Sequence, residues 1–258
     1  MIADVRGREL RFDHTPQRVV SLVPSLTETL FDLGAGETVA GATDFCIHPP
    51  QMPCVRVGGT KNPDVERIRS LAPDIVYMNL EENLRRHGEQ IESFAPVFVT
   101  EPKSVDDVRN LIATLATIHG KEERGRELVA QLDGERDAMP PRSFTFACAI
   151  WKKPWMWCGG DTYVSSLVEA AGGVNVLRHQ QRYPEMSLDC MASLQPEIVF
   201  LPDEPYAFDQ DDAREVTQAT GARVHGPFPG HLFTWHGTRT ILGLRFLRDA
   251  LERDRPSG

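Results

Sequence analysis

Short apolar runs bounded by Pro, Gly or Asp alternate along the chain with segments whose apolar residues recur every three or four positions. Val19 to Val23, Thr38 to Ala42, Ile75 to Met78, Val97 to Val99, Phe144 to Ile150, Ile198 to Leu201 and Ala222 to Val224 read as strands. Thr27 to Leu33, Val65 to Leu71, Asn83 to Phe94, Val164 to Ala171 and Leu188 to Leu194 carry the helical spacing. Strand and helix in near alternation predict an α/β architecture with mostly parallel sheets.

An internal repeat divides this pattern in two. Val65 to Met78 (VERIRSLAPDIVYM) lies over Leu188 to Leu201 (LDCMASLQPEIVFL) without a gap, each copy reading as helix, Pro-marked turn and buried strand. A weaker echo pairs Leu30 to Gly36 with Leu167 to Gly173, where a helix ends in the glycine that a left-handed cap favours. Two similar lobes are expected, with a ligand cleft between them. Ser104 to His119 keeps Val105, Val108, Leu111, Ile112, Leu115 and Ile118 on one face before Gly120 interrupts. The charge-rich Lys121 to Ala138 that follows is about 27 Å long as a helix and stops at Pro140-Pro141. The expected plan is therefore an N-terminal α/β lobe over 1–119, a single backbone helix over 120–139 and a C-terminal α/β lobe over 140–258.

Composition narrows the function classes. The 258 residues hold 28 Lys and Arg against 37 Asp and Glu, a formal net charge of −9 with no basic cluster, which argues against nucleic acid and anionic membranes as partners. No apolar run approaches the roughly 18 residues a membrane span needs. Met1 to Arg8 lack the basic start and apolar stretch of a secretory signal, which predicts a cytoplasmic protein as the chain stands and a periplasmic one if a leader has been removed. Five scattered cysteines (Cys46, Cys54, Cys148, Cys158, Cys190) without a CxxC pair read as reduced, buried small hydrophobes.

The GxSxG elbow, the HExxH zinc signature and the GxxxxGK[ST] phosphate loop are all missing, so no enzyme and no cofactor is expected. What remains is a set of loops at the carboxyl ends of the predicted strands, where open α/β sheets bind ligands. In the first half they offer Pro24, Ser25, Phe45, His48, Thr60, Lys61, Glu81, Glu82 and Asn83; in the second, Trp155, Trp157, Gly159, Tyr183, Tyr206, Trp235 and His236. Aromatic rings beside glycines with a few polar groups suit a large flat ligand. Trp151, inside a predicted strand, is expected in the core, and His14, His87, His119 and His179 are expected to be solvated. Cys46 and His48 lie two residues apart, a spacing open to a metal ion.

Asp4 to Arg8 followed by Pro16 to Ser25, Gly58-Gly59-Thr60 with Val65 to Ile68, the turn Ala72 to Val76 and the stretch Cys158 to Thr162 resemble the helical-backbone periplasmic binding proteins. That class serves ABC importers of vitamin B12, haem and ferric siderophores. Nearly the whole chain takes part in the resemblance, and within the class it is nearest to the cobalamin-binding proteins. It implies a monomeric solute-binding protein for a corrinoid, with haem or siderophore binding as the alternative; a cytosolic metal-dependent enzyme or chelate handler is a third reading. It also implies that Glu66 and Asp189 match carboxylates that dock with an ABC permease, and that His48, His236 or Tyr206 could be axial ligands. The tryptophans that cobalamin proteins present from the first lobe are missing here, where Thr60 stands near that position.

Overall fold

The computed structural model describes residues 2–253. Two compact units emerge, one from the chain up to Pro102 together with Arg109–Ala130, the other from Lys103–Val108 together with the chain from Gln131 onward.

In the first unit, β3 (Val19–Ser21), β4 (Val39–Ala42), β5 (Val55–Arg56), β6 (Ile75–Asn79) and β7 (Val97–Thr100) form one parallel sheet in the order β5-β4-β3-β6-β7. β3 and β6 are buried throughout, as the unbroken apolar runs require. Helices α1 (Pro24–Asp32), α2 (Val65–Ser70) and α3 (Arg85–Ile91) connect the strands. A small antiparallel hairpin of β1 (Ile2–Ala3) and β2 (Glu9–Leu10) is fastened to β7: Val5 N donates to Val99 O at 3.1 Å, and the Asp4 carboxylate accepts from Val99 N at 3.3 Å. This covers an otherwise open sheet edge.

The second unit repeats that plan. β8 (Phe144–Trp151), β10 (Gly173–Asn175), β11 (Ile198–Pro202) and β12 (Arg223–Phe228) lie parallel in the order β10-β8-β11-β12, and β9 (Met156–Trp157) folds back antiparallel on β8. Helices α6 (Tyr163–Glu169), α7 (Leu188–Ser193) and α8 (Gln210–Thr220) stand where α1, α2 and α3 stand in the first sheet, and α9 (His231–Thr234) and α10 (Arg239–Arg253) complete the unit. Strand for strand, β4-β3-β6-β7 corresponds to β10-β8-β11-β12.

The sequence repeat has a physical content at each position. Asp64 and Ser187 cap α2 and α7 by accepting from the N–H three residues on, at 2.9 and 3.3 Å. Ile68 and Met191 are the buried contacts of these short helices. Both helices leave through a left-handed residue, Ala72 (φ 43°) and Gln195 (φ 50°), followed by a buried proline. The acid after that proline then reaches the neighbouring strand. Asp74 accepts from Gln17 N and Arg18 N at 2.8 and 2.9 Å, and Glu197 accepts from Thr145 N at 2.6 Å. The Asp/Glu of the repeat thus pins the start of the strand beside its own.

Two helices link the units. α4 (Val105–His119) starts in the second unit, where Val105 N donates to Ser166 Oγ at 3.1 Å, and ends in the first. Gly120 turns the chain at φ 62°, and α5 (Glu122–Asp137) begins in the first unit, with Arg124 Nε donating to Asp32 O at 2.9 Å. It ends in the second, where Glu135 accepts from Arg245 and Arg248 at 2.7 and 2.5 Å. The expected lobe boundaries at 119 and 139 therefore fall differently: the units divide inside α4 and inside α5, because the first turn of α4 is bonded to α6.

His119, expected to be solvated, is buried, and its Nε2 shares a 2.8 Å hydrogen bond with the Tyr77 hydroxyl while its Nδ1 meets no partner. Burial, and secondarily the charge of Lys121, lowers its pKa to about 4. The unfolded chain therefore binds a proton near pH 6.5 that the folded chain refuses. This term is fully stabilising above about pH 6.5 and is lost as pH falls towards 4, a matter of a few kcal/mol. The melting temperature of the wild type should fall over that window more steeply than that of His119→Gln; equal slopes would contradict the assignment. Asp74→Ala should lower stability to urea by about 1–3 kcal/mol by freeing two backbone N–H groups from a carboxylate. Glu66→Ala, losing one exposed i,i+3 pair with Arg69, should stay within about 0.5 kcal/mol of wild type.

Candidate functional site

Strand order reverses between β3 and β6 in the first unit and between β8 and β11 in the second. At such a reversal the loops leaving two adjacent strands diverge, and the crevice beyond the carboxyl ends is where open α/β sheets receive ligands.

In the first unit this crevice is built around Asn83. Its Nδ2 donates to Leu22 O at 3.1 Å and to Thr60 O at 2.9 Å, and its Oδ1 accepts from Asn79 N at 2.8 Å. One buried amide thus ties together the loops after β3, β5 and β6. Asn79 at the end of β6 accepts from Glu81 N at 2.8 Å, and Lys61 Nζ donates to Glu81 O at 2.5 Å. Asn83 is committed to this scaffold, while Thr60, Lys61, Glu81 and Glu82 stand on the loops it fixes. Pro24 and Ser25 open α1 at the end of β3 and are both buried.

Exposed apolar residues stand on this rim among the exposed Asp44, Lys61 and Glu81. Phe45 is 59% exposed, Ile47 55% and Leu80 46%. The Phe45 ring lies over Gly59, where an added Cβ would come within 3.3 Å of it and within 2.4 Å of Asn62 Oδ1. Gly59 therefore seats the ring, and Phe45 offers its free side to solvent. Cys46 points the other way: it is buried, its Sγ meets Thr27 Oγ1 and Thr43 Oγ1 at 3.1 Å each, and burial pushes its thiol pKa up. With Cys46 folded into the core, the Cys46–His48 spacing does not produce a ligand pair; His48 itself is half-buried. Among the described residues, no three His, Cys, Asp or Glu side chains are grouped to hold a metal ion.

The second unit places aromatic rings at its own reversal point. Trp151, the last residue of β8, is 41% exposed and packs edge-on against Tyr206, with centroids 5.4 Å apart. Tyr206 leans on Phe208 at 4.8 Å, and Trp155 stacks between Phe208 and Trp157, 5.7 Å from each. Lys152 Nζ lies 5.4 Å from the Trp155 ring and is held by Asp212 and by Glu215 at 2.6 Å, so the cation is fixed beside the ring. Trp151 was expected in the core, yet it stands on the rim. The signal that places it there is its position at the carboxyl end of a central strand.

The other expected ligand residues take more buried or more peripheral places. Trp157 is fully buried, with its indole N–H donated to Met186 O at 2.9 Å. Gly159 lets two backbones approach: a Cβ there would lie 2.5 Å from Gln180 O, and its N donates to Arg182 O at 2.8 Å. Trp235 is buried and donates its indole N–H to Glu204 at 3.3 Å. Burial of that carboxyl, with Asp203 adding to it, raises the Glu204 pKa even though the residue as a whole is exposed, and the Trp235 bond opposes the shift. His236 is buried beside the Tyr163 ring, and burial lowers its pKa to about 4. Tyr183 is half-buried under the Arg182 guanidinium, 5.7 Å from its ring. Glu66 and Asp189 are both exposed and occupy the same position, second after the cap, in α2 and α7.

Comparison with known proteins agrees with this architecture. The uncharacterized ABC transporter substrate-binding lipoprotein YvrC of Bacillus subtilis is 23% identical over 98% of this chain and 85% of its own. A vitamin B12-binding protein of Vibrio campbellii is 24% identical over 71% of this chain and 70% of its own. Among solved structures, the periplasmic vitamin B12 binding protein BtuF of Vibrio cholerae superposes with a TM-score of 0.77 at 18% identity, covering 93% of this chain and 99% of that one. The periplasmic heme-binding protein RhuT of Roseiflexus sp. RS-1 superposes equally well, with a TM-score of 0.77 at 22% identity over 92% and 98% of the two chains. No helix among the described residues is long and apolar enough to cross a membrane. With the periplasmic binding protein family model matching residues 19–219, this chain belongs to that family.

Proposed function

We propose that the protein is the solute-binding component of an ABC importer and that its ligand is a corrinoid. The observation that carries this reading is the half-exposed Trp151 ring, braced edge-on by Tyr206 at the strand-order reversal of the second sheet. Phe45, seated on Gly59, gives the first unit an aromatic face of its own. Rings held rigid before the ligand arrives lose little entropy on binding, and they suit the broad apolar face of a tetrapyrrole-like macrocycle.

One axial-ligand candidate weighs against haem held by the protein, while His48 and Tyr206 are half-buried. His236 is buried, and Tyr206 packs against both Trp151 and Phe208. A corrinoid that carries its own axial groups asks for ring contacts and hydrogen bonds rather than for a protein ligand to its metal. The vitamin B12-binding relatives support the same choice, and the heme-binding structural neighbours make haem its direct competitor. Glu66 and Asp189, presented by equivalent helices, are the docking positions for a permease in this reading.

Calorimetric titration with cyanocobalamin should give a saturable one-to-one isotherm at micromolar or lower concentration. Haemin should give neither that isotherm nor a shifted Soret band; a haem spectrum without cobalamin heat would replace the corrinoid with haem. Trp151→Ala should weaken cobalamin binding by about tenfold, from the loss of one stacked ring. Reversing both Glu66 and Asp189 to Lys should leave cobalamin affinity unchanged and abolish stimulation of the cognate permease's ATPase; full stimulation by the double variant would remove the docking assignment.

A further inference from the structure

The β8–β9 hairpin that carries Trp151 and Trp155 contains two of the five cysteines. Ala149 pairs with Trp157 across this antiparallel ladder, so Cys148 and Cys158 face each other one step further along it. Cys158 N donates to Cys148 O at 2.9 Å. Directly opposed residues in a hydrogen-bonded antiparallel pair have Cα atoms about 5.5 Å apart, in the middle of the range a disulfide spans. Both residues project to the same face of the hairpin, opposite Ala149 and Trp157, and both are fully buried. Cys158 is further fixed by Asn175, whose Nδ2 donates to its carbonyl at 3.0 Å. Nothing in the aromatic site uses either sulfur.

We infer that Cys148 and Cys158 are a redox pair that closes to a disulfide across the hairpin and locks the aromatic rim of the second unit. The oxidant is an ordinary disulfide acting by exchange. One cysteine thiolate attacks it, forming a mixed disulfide and releasing one thiol. The second thiolate then attacks the mixed disulfide, closing the Cys148–Cys158 bond and releasing the other thiol. The two protons lost by the cysteines end on the two released thiols, and the oxidant takes up the two electrons. Both sulfurs are buried out of reach of an external disulfide in the folded protein, and burial holds the Cys148 thiol well above its usual pKa. Closure therefore belongs to folding or to opening of the hairpin, and once formed the bond is shielded from reductants.

The test uses the wild-type chain refolded from denaturant in a glutathione redox buffer, and in parallel the folded chain incubated with oxidised glutathione. Each sample is alkylated after unfolding and digested with trypsin. Cleavage after Lys152 separates Cys148 from Cys158, so their peptides travel together only if a disulfide joins them. The refolded sample should contain the joined pair, with three cysteines alkylated and no retained glutathione, and the folded sample should oxidise far more slowly. The oxidised protein should melt about 5 °C or more above its reduced form, and Cys158→Ser should abolish both the joined peptides and that difference. Five alkylated cysteines after refolding, or glutathione held on either residue without closure, would overturn the inference, independently of which ligand the protein binds.

Discussion

A carboxylate at the amino end of one central strand, accepting backbone N–H groups from the next, is the contact on which both sheets depend. Asp74 does this for β3 from the start of β6, and Glu197 does it for β8 from the start of β11. Parallel strands have no tight turn to set their register, so the register must come from contacts of this kind and from the packing of the crossover helices. The buried proline and the left-handed residue before it aim the acid at its target. With that end fixed, the carboxyl ends of β3 and β6, and of β8 and β11, are carried to defined places, and the loops that leave them can be used for recognition.

The two units use that opportunity differently. In the first, polar side chains make a scaffold: Asn83 and Asn79 absorb the backbone groups of three loops, leaving a rim on which Phe45, Ile47 and Leu80 are exposed beside Asp44, Lys61 and Glu81. In the second, the scaffold is itself aromatic. Trp157 is anchored in the core, Trp155 stacks on it, Phe208 and Tyr206 continue the series, and Trp151 emerges at the surface. Each ring restricts the next, so the exposed one is presented in a single orientation. That is the property a binding protein without covalent chemistry needs, because affinity then comes from contacts already formed rather than from ordering the site.

Much of this organisation is legible in the amino-acid order. The alternation of apolar runs and helical spacing gives the parallel α/β class, and the repeat gives two units of the same strand order, because both signals come from local burial periodicity. The boundaries between units are not legible in that way. They depend on Val105 reaching Ser166, a contact 61 residues apart that no local pattern announces. The site follows the same division. Strand ends locate Phe45, Tyr206 and the Glu81 loop, but residue type alone does not separate a ring that faces solvent from one that holds the core. Trp157 and Trp151 illustrate this, as they lie on paired strands of one hairpin and exchange the roles their sequence context suggests. Likewise Gly159 reads as a ligand cradle in sequence and is a point of backbone approach in space.

In the proposed reading, the ligand is recognised at the aromatic face at the reversal of the second sheet. Hydrogen–deuterium exchange of the protein with and without saturating cyanocobalamin tests it most directly. Ligand-dependent protection is expected in the peptides holding Trp151 to Trp155 and Glu204 to Phe208, with no change in α10. Saturated binding that leaves the Trp151 and Tyr206 peptides exchanging at their free rate would contradict it.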